Sequence, residues 1–140
     1  MLTIHSGDSG TGRAVAVSGD RIVAVGTADE LRVQFPQARV REWHGALGPA
    51  LVHAAPVPDA PSPRERIHAL LRLGATAVVD GYLTDPALRA AAARGGLTRV
   101  PAGSVPPALV PGGRADLAVF DAGGACVATV VGGRLVHRRA

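Results

Sequence analysis

The chain has 140 residues, a formal net charge of +4 and 47% hydrophobic residues, enough for one domain with one core and too apolar to stay disordered. It is too short for a complete eight-stranded α/β barrel, which takes about 250 residues. All 15 basic residues are arginine, and the lack of lysine excludes Schiff-base, carboxylated-lysine and P-loop chemistry.

From the start, "LTIH" reads as a short strand. "RAVAVSGDRIVAVG" follows as two alternating segments joined at Gly19-Asp20, the pattern of a tight hairpin. "TADELRVQF" predicts a short helix capped by Thr27, with Glu30 as its capping-box partner and Pro36 as its stop. "ARVREWH" is a further strand.

The period then changes. "SPRERIHALLRLGA" predicts a helix with Ser62 as N-cap, Pro63 first, Glu65 completing the capping box and Gly74 ending it. Ile67, Leu70, Leu71 and Leu73 are expected largely on one side. "TAVVDGY" reads as a buried strand, with "LVHAA" expected parallel beside it through a right-handed crossover. Asp85 and Pro86 open a second helix that ends at Gly95-Gly96. Residues 98 to 113 are rich in Pro and Gly and read as a loop. "ADLAVFD", "CVATVVG" and "RLVHRR" return to strands, with Gly123-Gly124 and Gly132-Gly133 as turns. The expected fold is α+β, a small and mainly antiparallel β-sandwich built from both chain ends, with an inserted helix–strand–helix unit.

Both ends resemble the amidohydrolase superfamily, above all its imidazolonepropionase and aminodeoxyfutalosine deaminase-like branch. The resemblance runs over "AVAVSGDRIVAVGTADELRVQFPQARVREWHGALGPALVHAA", residues 14 to 55, and "LVPGGRADLAVFDAGGACVATVVGGRLVHR", residues 109 to 138. "LLRLGATAVVDGY", residues 70 to 82, is similar to an early barrel segment of the same family. The resemblance implies one domain: residues 1–46 and 106–139 as two halves of a composite β-sandwich, and residues 47–105 as an inserted remnant of a (β/α) barrel.

The same resemblance locates what is missing. The family's first two metal ligands, a His-x-His pair, fall here on Ala55 and Val57, and neither side chain binds a metal. The family's later ligands lie in barrel segments that the chain skips between Gly96 and Ala108. His53 stands two residues before the lost pair. A rebuilt zinc or iron site would have to draw on His44, His53 and Asp80, since a catalytic zinc takes three protein ligands plus water. The expectation is that His53 does not replace the pair, that no metal or other cofactor is bound, and that no residue is catalytic. Asp116 is expected to tie down backbone N–H groups, and Cys126 to be a small buried hydrophobe.

Two functions follow from the resemblance. One is a non-catalytic binding or assembly module that pairs with a second copy or with a full-length amidohydrolase. The other is a reduced metal-dependent hydrolase of non-peptide C–N bonds, of the cyclic amide or amino-heterocycle deaminase type, with a site shared between subunits. Nucleic acid is disfavoured: the arginines are scattered, and aromatics, at 3%, offer few stacking platforms. No run of about 18 apolar residues predicts a membrane span. The lone Cys126 and the absence of a signal-peptide pattern fit a cytoplasmic location.

Overall fold

The computed structural model describes residues 1–8 and 13–139. Strands β1 (Leu2–Ser6), β2 (Arg13–Ser18) and β3 (Arg21–Thr27) form an antiparallel meander. Helix α1 (Ala28–Gln34) then returns the chain to lay β4 (Arg39–Glu42) parallel to β1, giving the order β3-β2-β1-β4. Thr27 caps α1 through the full reciprocal box with Glu30. This sheet is covered on both faces. Ile4, Ala14 and Ala16 pack with Leu31 of α1, while Val15, Val17 and Ile22 point to the other side. Alternation along "RAVAV" therefore separates two cores rather than core from solvent.

The second sheet is β11-β10-β9-β5: β5 (Ala46–Pro49), β9 (Leu117–Phe120), β10 (Cys126–Val131) and β11 (Arg134–Arg138), antiparallel throughout. Its inner residues Leu117, Val119, Val127 and Val130 share one core with Val15, Val17, Ile22 and Trp43 of the first half. Each such fully buried side chain contributes roughly 1.5–3 kcal/mol. The halves are also joined by backbone: Ile22 N–H donates to Gly113 O at 2.9 Å, and Gly112 N–H to Ile22 O at 2.8 Å. The fold is thus the expected α+β sandwich, closed by chain ends far apart in sequence. Sandwich pairing continues through β5 to Pro49, past the expected limit at residue 46. Leu47 belongs to the shared core.

The inserted unit is a three-stranded parallel sheet, β6-β7-β8, with β6 (Leu51–His53), β7 (Ala75–Val79) and β8 (Thr98–Val100). Helices α2 (Pro63–Arg72) and α3 (Pro86–Gly95) make the two crossovers. Their buried residues Ile67, Leu70, Leu71, Leu88, Ala91 and Ala92 pack with Val78. Asp85 caps α3 at the Ala87 N–H, and Gly96 ends it in the left-handed region at φ 82°.

Three local expectations change. Thr98–Val100 is a strand beside β7, not the start of a loop. Leu73 is 50% exposed, because it continues the right-handed helical backbone as the C-cap of α2 and at about 100° per residue falls off the side that Ile67, Leu70 and Leu71 bury. Ser62 caps α2 by accepting from Glu65 N–H, but Glu65 Oε1 takes the Ser62 hydroxyl instead of a backbone N–H, so only half of the box forms. The inserted unit is tied to the second sheet by Thr129 Oγ1, which donates to Leu71 O, and by Arg114 Nη2, which donates to Gly96 O, both at 2.6 Å. No described helix is long and apolar enough to cross a membrane.

Candidate functional site

In an α/β barrel, chemistry gathers at the carboxyl ends of the parallel strands. Here that end is formed by His53, by Asp80 in the 3-10 turn Asp80–Tyr82, and by the residues after Val100. The pairing register places His53 opposite Val78, and Val78 opposite Arg99. Residues paired across a sheet share a face. Val78 is fully buried among the side chains of α2 and α3, so the row containing His53 belongs to the helix-covered face.

Each sequence-derived candidate has a separate local engagement. His53 Nε2 lies 3.1 Å from Pro56 O. Asp80 Oδ1 lies 3.3 Å from Arg99 Nη1, a pair about half exposed on both sides and worth roughly 0–1 kcal/mol. His44 stands on the sandwich side with its side chain fully exposed, Nδ1 3.7 Å from Asp8 Oδ2. Of the two positions matching the lost ligand pair, Ala55 is half-buried. Val57 is buried in the core beneath α2 and α3. Among the described residues, no three His, Cys, Asp or Glu side chains are grouped closely enough to hold a metal ion.

A groove of about 770 Å³ runs between α2 and α3. Its floor, Ile67, Leu71 and Ala91, is already 3–5% exposed, so little apolar surface remains there to drive binding.

Asp116 is placed as expected. Its Oδ1 accepts the Gly132 N–H at 2.8 Å and lies 3.3 Å from Arg114 Nε. Burial pushes its carboxyl upward, opposed by the Gly132 hydrogen bond and the Arg114 charge. Cys126 is only half-buried, with Sγ 3.3 Å from Thr129 Oγ1 and 3.4 Å from Ala128 O.

The buried polar pair that sequence reasoning missed is His5 with Trp43. The Trp43 indole N–H donates to His5 Nδ1 at 3.2 Å, with the rings 10° from parallel and their centroids 6.4 Å apart. His5 is 3% exposed. Burial, aided by the Arg41 charge, lowers its pKa to about 4. The available signal was thin: His5 shares strand parity with Thr3, and Trp43 is the one tryptophan in the chain.

Comparison with known proteins places this arrangement. Residues 14–38 match the imidazolonepropionase-like composite domain of bacteria. No curated protein matches the chain. A zinc-bound adenosine deaminase from Xanthomonas campestris is 22% identical over 70% of this chain and 33% of its own, with a TM-score of 0.52. The Escherichia coli guanine deaminase is 14% identical over 71% of this chain and 35% of its own, also with a TM-score of 0.52. The aminofutalosine deaminase of Helicobacter pylori is 16% identical over 56% of this chain and 27% of its own, with a TM-score of 0.39. The chain thus spans about a third or less of the length of these structures, and at such identities the likeness to the first two is one of fold. The amidohydrolase-like resemblance holds in the composite-domain pattern of 14–38 and in the fold shared with the first two deaminases.

Proposed function

We propose that this chain is a non-catalytic, imidazolonepropionase-like composite module with a binding or assembly role in the cytoplasm, working without a metal or other cofactor. Its partner is a second copy or a full-length amidohydrolase. One observation carries the reading: His44, His53 and Asp80 are held in three unrelated local contacts, with Asp8, Pro56 and Arg99 respectively. A catalytic zinc needs its ligands within about 2.2 Å of one point. Val57 adds weight, since the position that would have to present a ligand is used to pack the helical layer. Fold likeness to deaminases is a weak warrant for their chemistry, so the reading rests on the site.

Elemental analysis of untagged protein, with hydrolysis assays on cyclic amides and amino-purines, tests it. The expected result is a stably folded protein with substoichiometric metal and no turnover above buffer. Stoichiometric zinc or iron bound through histidine, with metal-dependent hydrolysis, would replace it with the reduced-hydrolase reading.

A further inference from the structure

The His5–Trp43 pair lies between the two halves of the sandwich. His5 sits on the inner strand β1 of the first sheet, with Val15 of β2 and Arg41 of β4 in register on either side. Trp43 follows β4, and its backbone N–H donates to Ser6 O at 2.8 Å, holding it beside β1. It packs in the shared core with Leu47, Leu117 and Val119 of the second sheet. From β11 of that second sheet, the Arg138 guanidinium carbon stands 5.8 Å from the Trp43 ring centroid, within cation–π range. Imidazole, indole and guanidinium therefore form one chain of contacts from one sheet to the other, the imidazole edge to edge with the indole through the N–H···N bond and the guanidinium over the indole ring.

The chemistry of the central bond is one-sided. An indole N–H can only donate, so His5 Nδ1 must offer its lone pair, and the neutral ring carries its proton on Nε2. A second proton can go only to Nδ1. Two N–H groups would then face each other at a separation set for a hydrogen bond. The imidazolium would also lie beside a cation, Arg41 in register on β4, while Arg138 stands over the indole it is bonded to. Val15 from β2 and Leu47 from β5 are not titratable. Beyond the end of β1, Asp8 is paired with His44, and Glu42, the last residue of β4 and in register with Ser6, is paired with Arg32. Neither carboxylate is an ion-pair partner of His5.

We propose that the His5–Trp43 hydrogen bond is an acid-released latch: protonation of His5 at Nδ1 breaks it and frees Trp43 and Arg138 from the seam between the two sheets. The His5 pKa of about 4 sets where release occurs. The energetic cost of the buried imidazolium is relieved when the seam opens to water.

The lone tryptophan makes this readable in the full chain. Emission is followed from pH 7 to pH 3, with far-UV circular dichroism recorded in parallel. The expected result is a red shift of Trp43 emission centred near pH 4, with the strand signal kept through the shift. His5→Gln offers a carbonyl oxygen to the indole and cannot titrate, so its emission should stay blue over the same range. A wild-type shift matched by His5→Gln, or no wild-type shift before the strand signal is lost, would overturn the proposal. Where His5→Gln does not fold, imidazole NMR of Trp43→Phe replaces it. Removing the indole donor should move the His5 titration upward toward 6.5, and an unchanged titration would overturn the proposal equally.

Discussion

Thr129 on β10 donates its hydroxyl to the carbonyl of Leu71, at the end of α2, through a buried bond of 2.6 Å that links the sandwich to the inserted helical unit. Leu71 O also accepts the Gly74 N–H at 3.0 Å, so losing the hydroxyl removes this bond and the contact with Cys126 Sγ without orphaning the carbonyl. Thr129→Val should destabilise the protein by about 1–2 kcal/mol. Thr129→Ser keeps the donor and should lose less. Urea unfolding distinguishes them, with the midpoint moving and the slope constant.

Gly133 and Gly124 have nearly the same backbone conformation, at φ 81° and 85°, in different surroundings. A Cβ on Gly133 would lie 1.9 Å from Gly19 O, whereas one on Gly124 would meet nothing within 4 Å. Gly124→Ala should cost about 1–2 kcal/mol, the strain of a left-handed L-residue. Gly133→Ala carries that strain and also forces the β10–β11 turn away from the β2–β3 turn. Its melting temperature should fall well below that of Gly124→Ala, and equal losses would show that the two turns do not touch.

Asp121 closes the β9–β10 hairpin, its Oδ1 accepting from Gly123 and Ala125 N–H while Oδ2 pairs with Arg139 Nη1 at 2.7 Å. The Arg139 hydrogen bond is the main reason its carboxyl titrates below the usual range, with the Ala125 N–H next. A carboxyl with a lowered folded pKa stabilises the fold above its unfolded value of 3.8 and loses that contribution as pH falls through the folded value. Asp121→Asn should therefore lower the melting temperature at pH 7 and much less at pH 2. A constant deficit at both pH values would show that charge plays no part.

His53→Ala removes a half-buried side chain with one local contact, to Pro56 O. Stability should change by no more than about 1 kcal/mol. Metal content of the untagged protein should match the wild type. Loss of bound zinc on this substitution would show His53 to be a ligand.

What the sequence made legible was whatever is encoded within a few residues. Thr27 and Glu30, Ser62 and Pro63, and Asp85 and Pro86 mark helix starts because a cap satisfies backbone N–H groups two or three positions away. Gly19-Asp20, Gly123-Gly124 and Gly132-Gly133 mark turns for the same local reason. Strand β8 was hidden because three residues show no period, and only β7 makes them a strand. Leu73 is apolar like Leu70 and Leu71, but at about 100° per residue it falls off the side those two bury. Of the candidate site, that Ala55 and Val57 offer no metal ligand could be read directly from residue type. The burial of Val57 under the helices and the His5–Trp43 bond join residues that no local pattern connects.

The hydrogen bonds between Ile22 and residues 112–113 have a consequence for how the fold assembles. They close a loop of about ninety residues, and the main sandwich core is complete only when Val127 and Val130 have joined Val15 and Val17. Such non-local pairing pays its chain entropy before its contacts form and places folding in the slower, sheet-dominated regime of milliseconds to seconds. During synthesis the inserted unit has its own local contacts, from β6 through β8, well before the second sheet is made. The N-terminal meander meanwhile waits with Val15, Val17 and Ile22 uncovered. The nascent chain therefore carries an unpaired apolar face through most of its translation, the interval in which it is most prone to aggregate.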